Sequence, residues 1–118
     1  MRNRVVLLSG VSLALLALAS CVYVFNVSPV ASFTALPALG TTPLDVTLNA
    51  TASDDPDGTI ASYLWAFGDS QTSSVSIFPF THQFTVQSSS VTFTIVLTVT
   101  DNQGATDTAV QSVTVNPL

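Results

Sequence analysis

The chain has 118 residues, with seven Asp, two Arg, no Lys and no Glu, for a net charge of −5. Both arginines lie in the first four positions, so everything after them carries seven carboxylates against no Lys or Arg, a net −7. Phosphate recognition needs clustered cations, which excludes nucleic acid as a partner, and the single cysteine excludes an intramolecular disulfide.

The chain opens with Met1-Arg2-Asn3-Arg4, a positive start, followed by an uncharged apolar stretch over residues 5–17. This is the pattern of an export signal, assigned here to residues 1–20. It closes on Leu18-Ala19-Ser20-Cys21, which resembles the lipobox of bacterial lipoproteins. That resemblance implies cleavage before Cys21, acylation of its sulfur, and a tether in which residues 21–28 form the lipidated anchor and linker. A second reading is an uncleaved transmembrane helix, since residues 5–27 contain no charge and are long enough to span a bilayer. The positive-inside bias would then keep Arg2 and Arg4 in the cytoplasm. Either way the rest of the chain is expected to be exported and membrane-anchored, at the cell surface or on the periplasmic face of the envelope.

Beyond Asn26 the periodicity changes from a continuous apolar run to alternation. Leu44, Val46, Leu48, Ala50 and Ala52 alternate with polar residues, as in a half-buried strand. Ala61, Tyr63, Trp65 and Phe67 are expected on one face of a second strand, and Val91, Phe93, Ile95, Leu97 and Val99 on one face of a third. Val113 and Val115 flank Thr114 in the last. Between these runs stand turn signals: Pro37 with Gly40, Asp54-Asp55-Pro56-Asp57-Gly58, Gly68-Asp69-Ser70 and Asp101-Asn102-Gln103-Gly104. Short strands, regular turns and a central Trp predict an all-β two-sheet sandwich. The wealth of Val and Thr agrees, because β-branched side chains suit a pleated surface.

Four segments in order make the pattern specific: Ser28-Pro29-Val30-Ala31-Ser32-Phe33, Asp55-Pro56-Asp57-Gly58, Tyr63-Leu64-Trp65-Ala66-Phe67-Gly68-Asp69, and Leu97-Thr98-Val99-Thr100-Asp101-Asn102-Gln103-Gly104. Together they resemble the polycystic-kidney-disease (PKD) domain, an immunoglobulin-like sandwich found in surface proteins and secreted hydrolases. The resemblance implies about seven strands over residues 29–116. Three departures stand out. Ala66 and Ser70 occupy positions where the family usually has Asp and Gly, His82-Gln83-Phe84 replaces a His-x-Tyr, and the stretch 71–90 is long.

The resemblance also implies a cofactor. In some PKD domains calcium lies between an Asn at the domain's start, the Asp-rich turn and the Asp before the final hairpin, which here are Asn26, Asp55, Asp57 and Asp101. Hard oxygen ligands from loops are what calcium takes, although Asp and Gly also make ordinary turns. No nucleophile setting of the Gly-x-Ser-x-Gly kind and no paired His/Cys spacing is present, so no enzyme is expected. His82 matches the family's structural histidine, and Trp65 is expected in the core, with an exposed sugar platform as its alternative. Phe78 and Phe80, flanking Pro79 in the long stretch, are the candidates for apolar contact with a partner, against packing at the edge of the core.

The functional expectation is a non-enzymatic surface lipoprotein whose one domain mediates contact with extracellular protein or polysaccharide. Its rival is a structural subunit of an envelope or surface assembly, held by an uncleaved helix.

Overall fold

The computed structural model describes residues 25–118; the export signal, the lipobox and Cys21 lie outside the described residues. Among the described residues eight strands form two sheets: β1 (Thr34–Leu36), β2 (Leu39–Thr41), β3 (Leu44–Asn49), β4 (Ile60–Ala66), β5 (Thr72–Ser73), β6 (Phe80–Phe84), β7 (Val91–Asp101) and β8 (Thr106–Asn116). One sheet has three strands in the order β1-β3-β6, and the other has five in the order β2-β8-β7-β4-β5. Each described pairing is antiparallel except β2 with β8, which run parallel. The all-β immunoglobulin-like sandwich is thus confirmed, with one strand more than the seven expected.

The core follows from the alternation. Phe93, Ile95, Leu97 and Val99 of β7 face inward beside Val113 and Val115 of β8, and meet Val46 and Leu48 of β3 and Phe84 of β6 from the other sheet. Trp65 sits at the centre with no exposed surface, its ring edge-on to Phe33 at 5.1 Å and to Phe80 at 5.1 Å. Its indole N–H donates to the Val75 carbonyl at 3.1 Å. This satisfies the one polar group of a side chain otherwise suited to the apolar interior. The core reading of Trp65 therefore holds.

Two alternations break earlier than the residue pattern suggests. Ala61 is exposed because a bulge between Ile60 and Ser62 shifts the register of β4 against β7, and Ile60 packs inward instead. Ala52 is exposed because β3 ends at Asn49 and the chain turns, with Ser53 N–H bonded to the Ala50 carbonyl at 2.9 Å. Alanine is small enough to be tolerated on either side, so its place in an alternating run carries little information.

Candidate functional site

At one end of the sandwich the incoming chain is fastened to two loops. Val30 and Asp54 exchange backbone hydrogen bonds at 2.7 and 3.0 Å. One step on, the Ser53 hydroxyl accepts from Ser32 N–H at 2.9 Å and donates to its carbonyl at 2.8 Å. These contacts hold residues 26–32 across the Asp-rich turn that leads into β4. The β7–β8 hairpin closes the other side, with Asn102 N–H donating to the Thr59 carbonyl and Thr59 N–H to Asn102 Oδ1 at 3.2 Å. Three segments far apart in sequence so meet at one point.

All four residues expected to hold calcium are found there. Asn26 Nδ2 donates to Asp101 Oδ2 at 2.7 Å, and Val27 N–H donates to Asp57 Oδ2 at 2.9 Å. Asp101 is buried and its Oδ1 accepts from the backbone N–H groups of Gln103 and Ala105, both at 2.9 Å, which shapes the hairpin. The Asn26 bond, followed by those backbone donors, holds its carboxyl below the ordinary value despite burial. Asp55 is the opposite case. It is only 6% exposed and neither of its carboxylate oxygens has a partner. Burial first, and then the neighbouring Asp57 and Asp101 carboxyls, raise its pKa.

The described residues contain three buried side-chain polar atoms without a partner: Asn26 Oδ1, Asp55 Oδ1 and Asp55 Oδ2. All three are acceptors, and all belong to this cluster. Buried acceptors are ordinarily satisfied, and these three have no partner among the described residues. That is the fit expected of a hard divalent ion. Among the described residues, no group of three or more His, Cys, Asp or Glu is already gathered as a ligand cage. Asp57 and Asp101 are engaged with Val27 N–H and Asn26 Nδ2.

Three contributors to this end were not foreseen. A Cβ at Gly58 would stand 2.5 Å from Asn102 Oδ1 and 2.8 Å from Asp55 Oδ2, so any side chain there would displace these two groups. Asn102 bridges hairpin and turn, and the sequence marks it only as a turn residue. Asp107 stands on the inward phase of β8, where its carboxylate accepts from Ala31 N–H at 2.8 Å. An acid in the apolar phase of a strand was the clue.

The other candidates lie elsewhere. Phe78 and Phe80 are half-buried and turned toward the core: Phe78 packs edge-on to Tyr63 at 5.0 Å, and Phe80 packs against Trp65 and against Phe67 at 6.3 Å. What this loop presents outward is Ile77, 81% exposed. His82 stacks flat on Phe67 at 3.7 Å and contacts Asp69 Oδ2 through Nε2 at 2.8 Å, a structural role.

The PKD domain model matches residues 26–116. The pre-pro-metalloprotease PrtV of Vibrio cholerae serotype O1 is 40% identical over 91 residues, 77% of this chain and 9% of that protein. A microbial collagenase of Vibrio alginolyticus is 38% identical over 73 residues, 62% of this chain and 8% of that protein. The chain thus spans under a tenth of the length of these relatives. The solved PKD1 domain of Vibrio cholerae PrtV superposes with a TM-score of 0.63 at 37% identity, over 76% of this chain and 99% of that one. That solved chain is thus almost entirely this one domain. A chain solved in work on the promiscuous specificity of β-sandwich carbohydrate-binding modules gives a TM-score of 0.72 at 35% identity, over 80% of this chain and 36% of that one. On this evidence the chain belongs to the PKD domain family, and its described residues form one non-catalytic, immunoglobulin-like module of it.

Proposed function

We propose that the domain is a calcium-stabilised contact module, exported and tethered at its N-terminus, that meets extracellular protein or polysaccharide. The observation that carries the calcium reading is the set of three unpartnered buried oxygens on Asn26 and Asp55. With Asp57 and Asp101 these residues would hold the ion. Its charge would offset three carboxylates that have no Lys or Arg anywhere beyond Arg4 to answer them. Asn26 and Val27 already bind the Asp101 and Asp57 carboxylates, so the site's residues fasten the incoming chain to both loops.

Kinship with a domain of a Vibrio pre-pro-metalloprotease and of a microbial collagenase supports a place outside the cell. The lipobox-like Leu18-Ala19-Ser20-Cys21 supports acylation at Cys21 as the tether. Calorimetric titration of residues 22–118 with calcium tests the metal reading: one ion should bind, and Asp55→Asn should abolish the heat. Absence of heat in the wild-type domain at millimolar calcium would overturn it. Intact-mass analysis of the membrane fraction tests the tether, because an unmodified chain starting at Met1 would replace the lipid anchor by a retained helix.

A further inference from the structure

The outer face of the five-stranded sheet carries no charge. Its outward positions are filled by Thr, Ser, Val, Leu, Ala and Asn, while all seven aspartates lie on loops, on β3, at the end of β7 or on the inward phase of β8. Register puts Ala66, Val96 and Val110 side by side across β4, β7 and β8, an apolar row running across the strands. Val110 is 55% exposed, and Leu64, 53% exposed beside Thr98, widens that row. On one side of it stands the hydroxyl pair Thr98 and Thr108, and on the other the pair Thr94 and Ser112. A further pair, Thr92 and Thr114, joins Oγ1 to Oγ1 at 2.9 Å.

We infer that this face binds a neutral polysaccharide, lying across the strands along the Ala66–Val96–Val110 row. A pyranose ring is itself banded, with apolar C–H faces and a rim of equatorial hydroxyls. Its faces suit the apolar row, and its rim meets threonine hydroxyls that both donate and accept. Each flanking hydroxyl row lies about 6.8 Å along the strand from the apolar row, and neighbouring strands lie about 4.8 Å apart, a spacing on the scale of sugar rings. Charge selects the class of ligand: an acidic glycan approaching a domain of net −7 meets repulsion, and a neutral one does not. A second copy of the domain is a poorer occupant on two counts. It carries the same charge, and three strands of this length offer at most roughly 500 Å², below the roughly 800 Å² per partner of a standard interface. Without an aromatic platform each contact is weak, so retention builds up along a polymer that offers many sites.

The proposal rests on the reading of the domain as an extracellular contact module and names its surface. The test is affinity electrophoresis of residues 22–118 through gels containing soluble neutral glucan or mannan. The wild type should be retarded. Val110→Asp, and separately the double variant Thr98→Val with Thr108→Val, should weaken retardation at least fivefold while keeping the wild-type melting midpoint. Thr47→Asp adds the same charge to the exposed face of β3 in the opposite sheet and should migrate as the wild type does in glycan. Equal retardation of the wild type, Val110→Asp and the double variant would overturn the assignment to this face. A wild type retarded by no neutral glycan, but captured by an envelope protein, would overturn the inference and leave the contact module standing.

Discussion

Removing the Trp65 side chain tests the core assignment most severely. The residue is fully buried and lies between Phe33, Phe80 and, at 6.0 Å, Phe78, so it joins the two sheets to the long loop. Trp65→Ala leaves a cavity that such rings can fill only in part, at a cost of about 3–5 kcal/mol. A domain of this size has a total stability of about 5–14 kcal/mol. Each 1 kcal/mol lowers the melting midpoint by about 4–8 °C, so a fall of roughly 12–40 °C is expected. Trp65→Phe keeps one aromatic ring in place while losing the rest of the indole and its bond to the Val75 carbonyl. It should lie much nearer the wild type. Circular dichroism melts of residues 22–118 read all three proteins. A fall of under about 5 °C for Trp65→Ala would mean that the ring is dispensable to the core, and the sandwich as described would be wrong.

The loop after β4 yields a pair of opposite effects. Gly68 has φ +82° and a Cβ there would stand 2.6 Å from the Thr94 carbonyl oxygen, so Gly68→Ala should cost about 2–4 kcal/mol in urea denaturation. Ser70 has φ +72° without being glycine, so Ser70→Gly should raise stability by up to about 1 kcal/mol. Acidity gives a further test. The Asp55 carboxyl is raised above 3.8, so just above that pH the folded chain keeps a proton that the unfolded chain has released. In chelator, stability should therefore rise as pH is lowered from neutral toward that window. Asp101 is lowered, so its contribution is present above 3.8 and disappears only as pH falls through its depressed value. Melts in chelator that decline steadily from about pH 7 downward would contradict the Asp55 assignment.

β7 was legible because it alternates along its length, and a one-residue slip would expose every buried side chain; of β8 only Val113 to Val115 could be read, because Asp107 and Gln111 stand on its inward phase and Val110 on its outer one. The loop cluster was legible through resemblance and not through periodicity, which says nothing about which loops share an end of a sandwich. Pairing of β2 with β8 escaped, because three residues joined in parallel leave no mark on a sequence. The facing of Phe78 and Phe80 was left open for a related reason: aromatic residues around a proline in a loop carry no phase. Only the fold settles that Tyr63, Trp65 and Phe67 stand behind them. The uncharged face was present in every second residue of β7 and β8, yet it becomes a surface only when the registers of three strands align its rows.

The central claim, that the buried acidic end is built around calcium, is tested most directly by thermal melts of residues 22–118 with calcium and then with chelator. Extracellular modules bind calcium with Kd of about 10⁻⁴–10⁻³ M. At about 2 mM free ion and a Kd near 0.1 mM, linkage contributes roughly 1.8 kcal/mol, a rise in midpoint of about 7–14 °C. Asp57→Asn and Asp101→Asn should each remove most of that rise, whereas Asp45→Asn, on the exposed face of β3, should leave it intact. Coincident melts of the wild type in calcium and in chelator would contradict the account and reduce Asp55, Asp57 and Asp101 to the chemistry of turns.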